Sequence, residues 1–335
     1  MFDFNVVPGS QIKLILGENP KHSIECVKAA YLAHHDGETV NPDSYFLKFP
    51  MSDRNRIIAL PASIHADINV SGIKWIASFP DNIKNGVPRA SAVLVLNDHV
   101  TGYPFACLEA SLISASRTAA SAVLGAYWLN GQQRHAKSIA FVGAGVIARN
   151  IFDMFVGDGW HFERVSVHDF DSLSAQAFAA HISKNDDRSV NVEDGFAGAL
   201  DADMVVFATN AGAPYVVPPQ TFFPGQVILN ISLRDIAPEL IVNAFNIFDD
   251  IDHCMKANTS PHLAESYIGD RRFVTGTLAA LIRNEVKVDR SRPLIFSPFG
   301  MGILDLALGK YVFDKACARG ASISIPDFFG ETERW

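Results

Sequence analysis

Three features of the sequence predict an α/β protein of two domains, one of them built on a doubly wound parallel sheet. From Lys137 onward, short apolar runs alternate with helical patterns, the rhythm of strand–helix–strand units. Within that stretch, Gly143-Ala144-Gly145-Val146-Ile147-Ala148 follows an apolar run and opens a helix. The length, 335 residues, makes roughly two domains at about 150 residues each. Hydrophobic residues are 48% of the chain and charged residues 19%, which supplies a packed core and excludes a disordered chain.

Residues 1–125 mix helix and strand signals. In residues 23–34, Ile24, Val27, Ala30, Tyr31 and His34 recur at helical spacing and predict an amphipathic helix that His34-His35 leaves. Residues 37–56, rich in Gly, Asn, Pro and Asp, read as loop with one edge strand. Strands are expected at 56–60, 70–77, 92–96 and 103–108, the last two joined as a hairpin by residues 97–102. Residues 109–129 form one long Ala- and Ser-rich helical stretch, whose small side chains suit close packing.

The second region opens with a strand at 138–142, followed by the glycine turn and a helix to about Val156. Further strands are expected at 164–168, 189–192, 203–209, 226–231 and 246–250. Residues 294–318 read as a strand, a glycine turn and a long helix, and the domain boundary is placed near 131–136. The predicted architecture is a Rossmann-type doubly wound sheet plus a mixed α/β domain.

Charge and cysteine content narrow the function classes. With 28 basic and 36 acidic residues, the formal net charge of −8 makes the chain a poor nucleic-acid binder. No apolar run reaches the length of a membrane span, and the N-terminal residues lack the basic and apolar regions of a signal peptide. Cys26, Cys107, Cys254 and Cys317 lie far apart and form no CxxC pair, so no sequence-local metal site is expected and a reducing cytoplasm suits the chain. Asp249, Asp250, Asp252 and His253 read as a solvated strand end rather than a metal site, and Trp75, Trp128, Trp160 and Trp335 as packing residues.

The glycine turn carries the first chemistry. Gly143 permits a tight turn after the strand, Gly145 lets the backbone approach a diphosphate, and Ala148 lets the helix sit against the strand. The next strand ends at His168-Asp169, and Asp169 is placed to accept hydrogen bonds from the adenosine ribose, with Asp171 as the alternative. A carboxylate there repels a 2′-phosphate, so NAD is expected over NADP. Thr209-Asn210-Ala211-Gly212, at the end of the fourth strand, is expected to line the cofactor cleft.

Three charges stand in apolar or small-residue surroundings. These are Lys74 in GIKWIAS, Arg117 in a helix with no acidic residue within a turn, and Asp235 after the apolar run ILNIS. Such charges are costly unless paired or used.

These residues carry a resemblance. GIKWIASFPDN, LNDHVTGYPFACLEASLISASRTAASA, FVGAGVIARN, ATNAG and SPFGMGILDLA occur in this order over nearly the whole chain. The sequence resembles the ornithine cyclodeaminase/mu-crystallin family. ISLRDIAPEL, LPASIHADINVSGIKWIASFPDN and RASAVLVLND look most like its branch of dehydrogenases from 2,3-diaminopropionate biosynthesis in staphyloferrin-type siderophore pathways.

The resemblance implies a substrate and dimerisation domain over residues 1–130, with 310–335 returning to it, and an NAD domain over 131–309. It implies that Arg117 grips a substrate carboxylate, that Lys74 stands beside the reacting carbon and binds substrate, and that Asp235 takes and gives protons. It places Gly143, Ala144, Gly145, Val146, Ile147, Asp169, Thr209, Asn210, Ser232, Gly300 and Met301 against NAD. The implied assembly is a homodimer, and the implied pathway partner is a cysteine-synthase-like pyridoxal-phosphate enzyme.

Where the wider family often carries an arginine after its first helix and a Met-Pro pair, this chain has Pro42-Asp43-Ser44-Tyr45 and Leu60-Pro61. At the Asp235 turn, Ser232-Leu233-Arg234 replaces a Gly-Gly pair. Arg234 and Arg89 are additional cations that a bulkier, more anionic substrate than ornithine accounts for, although either also suits an ordinary ion pair. The implied reaction is NAD-dependent oxidative cleavage of N-(2-amino-2-carboxyethyl)-L-glutamate to L-2,3-diaminopropionate and 2-oxoglutarate. Ornithine cyclodeaminase, alanine dehydrogenase, ketimine reductase and a non-catalytic crystallin-like protein are the alternatives.

Overall fold

The structure is a computed structural model that describes residues 3–65, 67–185 and 190–333. Trp335 and Ser189, expected respectively to pack and to open a strand, lie outside the described residues. The chain divides into two compact units, residues 1–117 with 301–335, and residues 118–300. The first join falls inside a continuous helix, where no change of composition marks it.

The first unit opens with β1 (Phe4–Val7), α1 (Gly9–Glu18) and α2 (Pro20–His35). Asn19 starts α2 by accepting a hydrogen bond from the His22 amide, and Pro20 occupies the first helical position. Ile24, Val27, Ala30 and Tyr31 of α2 are buried at the spacing the sequence shows. Then follow β2 (Thr39–Val40), β3 (Tyr45–Phe49), β4 (Ser52–Ile64), β5 (Val70–Ser78), β6 (Ala90–Asn97), β7 (Pro104–Glu109) and α3 (Ser111–Leu129). The segment expected as loop with one edge strand thus holds β2, β3 and the start of β4, with Asn41, Pro42 and Asp43 between them. In the hairpin between β6 and β7, the Asp98 carboxylate accepts from the Val100 and Thr101 amides.

The second unit continues with β8 (His135–Val142), α4 (Val146–Asp158), β9 (His161–His168), α5 (Ser172–Asn185), β10 (Val190–Val192) and α6 (Phe196–Ala199). Next come β11 (Met204–Phe207), β12 (Val227–Asn230), α7 (Pro238–Ile241), β13 (Phe245–Phe248), α8 (Ile251–Cys254), α9 (Ser260–Ile268), β14 (Val274–Thr277), α10 (Leu278–Ile282) and β15 (Leu294–Ser297). The strand order is β10-β9-β8-β11-β12-β15-β13-β14, and every pairing is parallel. All residues of β11, β12, β13 and β15 are buried, as expected of strands covered on both faces. Phe207, Val205, Ile228, Phe248 and Ile295 share one core cluster in this unit.

The chain then returns to the first unit through α11 (Gly302–Ala318) and β16 (Ile323–Ile325). The first unit's sheet runs β16-β1-β7-β6-β5-β4-β2, with β3 also paired to β4. One face carries α11: a Cβ added at Gly309 would lie 2.1 Å from Leu94 Cδ2, so glycine permits the close approach. On the opposite face, Trp75 of β5 stands across from Val93 of β6, and each is 41% exposed. Tyr45, Leu47 and Val40 on β2 and β3 are exposed as well, so this unit presents a broad apolar surface. No helix among the described residues is long and apolar enough to cross a membrane.

Candidate active site

In the first unit, alternation along β5 turns Lys74 to the α11 face, where it is 2% exposed. Its Nζ donates to Asp305 Oδ2 at 2.6 Å and to Ser114 Oγ at 3.0 Å. From α3, Arg117 brings its Nε to Asp305 Oδ1 at 3.2 Å, with its side chain 12% exposed. Asp305, on the first turn of α11, is fully buried and gives one oxygen to each cation. The structure thus joins Lys74 and Arg117 through a residue to which sequence reasoning assigned no role. The signal was present: Asp305 stands in ILDLALG, an acid amid apolar residues with no basic residue nearer than Lys310.

Two cations face one carboxylate here, so the buried cluster carries one positive charge in excess. Burial pushes the Lys74 ammonium down to about 8, Asp305 opposing the shift and Arg117 adding to it. The cluster is a ready receptor for a carboxylate, and the planar Arg117 guanidinium suits two-point recognition.

Arg89 is not part of this cluster. It precedes β6, and its Nε donates to Ser78 Oγ at 3.2 Å, at the far end of β5.

In the second unit, Gly143 has φ +101°, and a Cβ there would lie 2.5 Å from the Ala208 carbonyl oxygen. Gly145 caps α4, and the position of its absent Cβ is open, as close approach of a diphosphate requires. Val146 and Ile147 begin the helix. Asp169 closes the turn: its Oδ2 accepts from the Ala144 amide at 2.7 Å and its Oδ1 from the Asp171 amide at 2.9 Å. Asp171 is engaged elsewhere, accepting from the amide and hydroxyl of Ser174 at 3.1 and 2.6 Å at the start of α5. Of the two acids, Asp169 is the one joined to the glycine turn.

Asp235 is fully buried and accepts three hydroxyl hydrogen bonds. Thr209 Oγ1 and the Tyr215 hydroxyl donate to Oδ1 at 2.5 and 2.7 Å, and Ser232 Oγ donates to Oδ2. Thr209, Ser232 and Asp235 are therefore brought together, while Asn210 is exposed. Burial, with Asp235 beside it, pushes the Tyr215 phenol above its ordinary value. Tyr215 lies in an irregular segment with no periodicity, and sequence reasoning did not find it.

Arg234 follows Leu233 in the same turn as Ser232 and Asp235. Its Nε and Nη2 donate to the Ala257 carbonyl at 3.2 and 2.6 Å, bracing a loop of the same unit. Asp249 is not the solvated residue its sequence setting suggests. It is buried, and its carboxylate accepts from the amides of Phe299 at 2.9 Å and Gly300 at 2.7 Å. Asp249 thereby fixes the turn after β15, the expected cofactor contact at Gly300. Met301, buried, is the N-cap of α11.

The comparisons with known proteins follow the same architecture. N-((2S)-2-amino-2-carboxyethyl)-L-glutamate dehydrogenase of Staphylococcus aureus is 28% identical over 317 residues, covering 92% of this chain and 94% of that protein. The alanine dehydrogenase of Archaeoglobus fulgidus is 24% identical over 91% of this chain and 94% of its own length. Among solved structures, the Thermococcus litoralis Delta(1)-pyrroline-2-carboxylate reductase, in complex with NADH and L-proline, superposes with a TM-score of 0.87. It is 22% identical, over 96% of this chain and all of that one. The model of the ornithine cyclodeaminase/mu-crystallin family matches residues 17–233, more than half of the chain, and the chain belongs to that family.

Proposed function

We propose that this protein is an NAD-dependent oxidoreductase that cleaves N-(2-amino-2-carboxyethyl)-L-glutamate to L-2,3-diaminopropionate and 2-oxoglutarate. The observation that carries this reading is the buried Lys74–Asp305–Arg117 cluster with its excess positive charge, which suits the carboxylate of an amino-acid substrate. The Staphylococcus relative, similar over nearly the whole of both chains, acts on that conjugate by name. Ornithine would need an acid for its distal amine, and the one acid of this cluster is already shared by two cations.

The residues of the second unit fit NAD. Gly143 and Gly145 leave room for a diphosphate at the start of α4, and Asp169 offers a carboxylate for the ribose hydroxyls. NAD supplies the hydride acceptor. Lys74 and Arg117 hold the substrate α-carboxylate and so fix the carbon that loses hydride. Asp235, with the hydroxyls of Thr209, Ser232 and Tyr215, moves protons: one leaves the secondary amine as the imine forms, and others shift as water adds and the C–N bond breaks. The balance is conjugate plus NAD⁺ plus water, giving diaminopropionate, 2-oxoglutarate, NADH and a proton.

The exposed apolar face around Trp75 and Val93 supports a homodimer formed through the first unit. An archaeal alanine dehydrogenase of similar fold, TM-score 0.86 and 21% identical, is described as a dimer with bound NAD. The reaction consumes a conjugate of two amino-acid skeletons, so an enzyme that joins them, of the cysteine-synthase-like type, must act before it, and the product suits siderophore assembly. Incubating the protein with NAD and the conjugate tests the reading. Equimolar NADH, diaminopropionate and 2-oxoglutarate are expected, and release of ammonia in their place would refute it.

A further inference from the structure

A second group of cations lies on the same sheet face as Lys74, toward the far end of β5. β4 and β5 pair antiparallel, with Leu60 opposite Lys74, Ile58 opposite Ile76 and Arg56 opposite Ser78. Directly opposed residues share a sheet face, so Arg56 and Ser78 lie on the face of Lys74. Lys48 of β3 stands opposite Arg56, and Arg89 reaches Ser78 Oγ with its Nε at 3.2 Å. Arg56 and Arg89 therefore converge on Ser78, four residues along the strand from Lys74, or roughly 13 Å at 3.3 Å per residue.

Among the described residues no carboxylate pairs with Arg56 or Arg89. Asp81 is engaged by Lys84 at 2.8 Å and Arg54 at 3.5 Å. Arg56 Nε is buried and has no hydrogen-bond partner, an unspent donor that costs stability. Burial first, and then the nearby charges of Arg56 and Arg54, hold the Arg89 guanidinium below its usual value. An arriving anion would relieve both the repulsion and the unspent donor.

Between the two cation groups the sheet is apolar. Ile58 and Ile76 lie cross-strand and half-buried in the row that separates them. The face therefore reads cation, apolar floor, cation. A ligand with two carboxylates joined by methylene carbons matches that order, and long Lys and Arg side chains close the remaining distance.

We propose that Arg56 and Arg89 form a second anion subsite that receives the glutamate side-chain carboxylate of the substrate. The proposal rests on the reading of Lys74 and Arg117 as the α-carboxylate site. It makes Arg56 and Arg89 the residues that select a polycarboxylate over a simple amino acid.

Calorimetry with two matched ligands tests it: the glutamate conjugate, and the glutamine conjugate that lacks only the distal charge. The unaltered protein is expected to prefer the first by roughly 10- to 150-fold, the range for one charge-assisted hydrogen bond. Arg56→Met and Arg89→Met are each expected to erase that preference while binding the glutamine conjugate as before. Retention of the full preference in both variants would overturn the proposal.

A melting experiment separates this outcome from failure of the functional reading. If the unaltered protein binds neither conjugate, the assigned substrate is wrong, and citrate becomes the probe. Citrate, compared with chloride at equal ionic strength, is expected to raise the melting temperature of the unaltered protein more than that of Arg56→Met. Equal shifts would overturn the subsite. In chloride alone, Arg56→Met is expected to melt no lower than the unaltered protein, because it removes repulsion, and a lower melting temperature would count against the crowding on which the subsite rests.

Discussion

The Asp305 carboxylate accepts from the Lys74 ammonium at 2.6 Å while its other oxygen holds Arg117 at 3.2 Å, and both Lys74 and Asp305 are buried. Residues 74, 117 and 305 are thus tied into one charged unit from a strand and two helices. Removing the carboxylate leaves two buried cations facing each other. Asp305→Asn should cost about 3–5 kcal/mol of stability, the scale for breaking a buried ion pair. Urea unfolding measures it, and a loss below about 1 kcal/mol would show that the cluster is not held as described.

The depressed Lys74 predicts an alkaline limit to activity. With its titration near 8, Lys74 loses its charge above that pH, and kcat/KM for an anionic substrate should fall through an apparent pKa close to 8. Stability should move the other way. The folded value lies below the unfolded 10.5, so between about 8 and 10.5 the unfolded chain holds more protons and stability rises with pH. Urea midpoints across this range should rise more steeply for the unaltered protein than for Lys74→Met.

Asp235 is the predicted proton carrier. Asp235→Asn keeps the shape but cannot take a proton, and kcat should fall roughly 10²- to 10⁴-fold with NAD affinity retained. Tyr215→Phe removes one of three hydroxyl donors and should lower kcat by a smaller factor without raising KM. Stopped-flow turnover and NAD titration by fluorescence read both. Near-normal turnover in Asp235→Asn would remove this residue from the chemistry.

Asp169, joined to the Ala144 amide, predicts preference for NAD over NADP. Asp169→Ser should weaken NAD binding and improve the relative use of NADP. Tighter NADP than NAD binding by the unaltered protein, measured by calorimetry, would contradict the assignment.

Trp75 and Val93 predict the dimer face. Trp75→Glu should convert a dimer mass to a monomer mass in light scattering at micromolar concentration. A monomeric unaltered protein would contradict the assembly.

The parallel sheet was legible because its strands carry continuous apolar runs and its glycine turn has a fixed pattern; β8, α4 and β9 lie where these signals place them. The first unit was less legible. β2 and β3 are short edge strands with exposed residues, and α1 shows only two buried positions, so neither has a strong period. Lys74, Arg117 and Asp235 announce themselves as charges in apolar stretches. Their partners do not: Asp305 is 231 residues from Lys74, a pairing that only the fold creates. Asp249 lies among other acids and looks like surface, yet it binds the backbone of a turn 50 residues away. Arg234, read as a substrate cation because of its neighbour Asp235, also donates to the carbonyl of Ala257, a contact no local pattern foretells.

The central claim is that the substrate is a polycarboxylate oxidised by NAD, and a direct comparison of two substrates tests it. The purified protein is given NAD with either the diaminopropionate–glutamate conjugate or ornithine, and NADH absorbance and products are followed. The account predicts NADH formation with the conjugate, at a kcat/KM well above any seen with ornithine, and 2-oxoglutarate as product. Faster consumption of ornithine, with proline and ammonia as products, would contradict it.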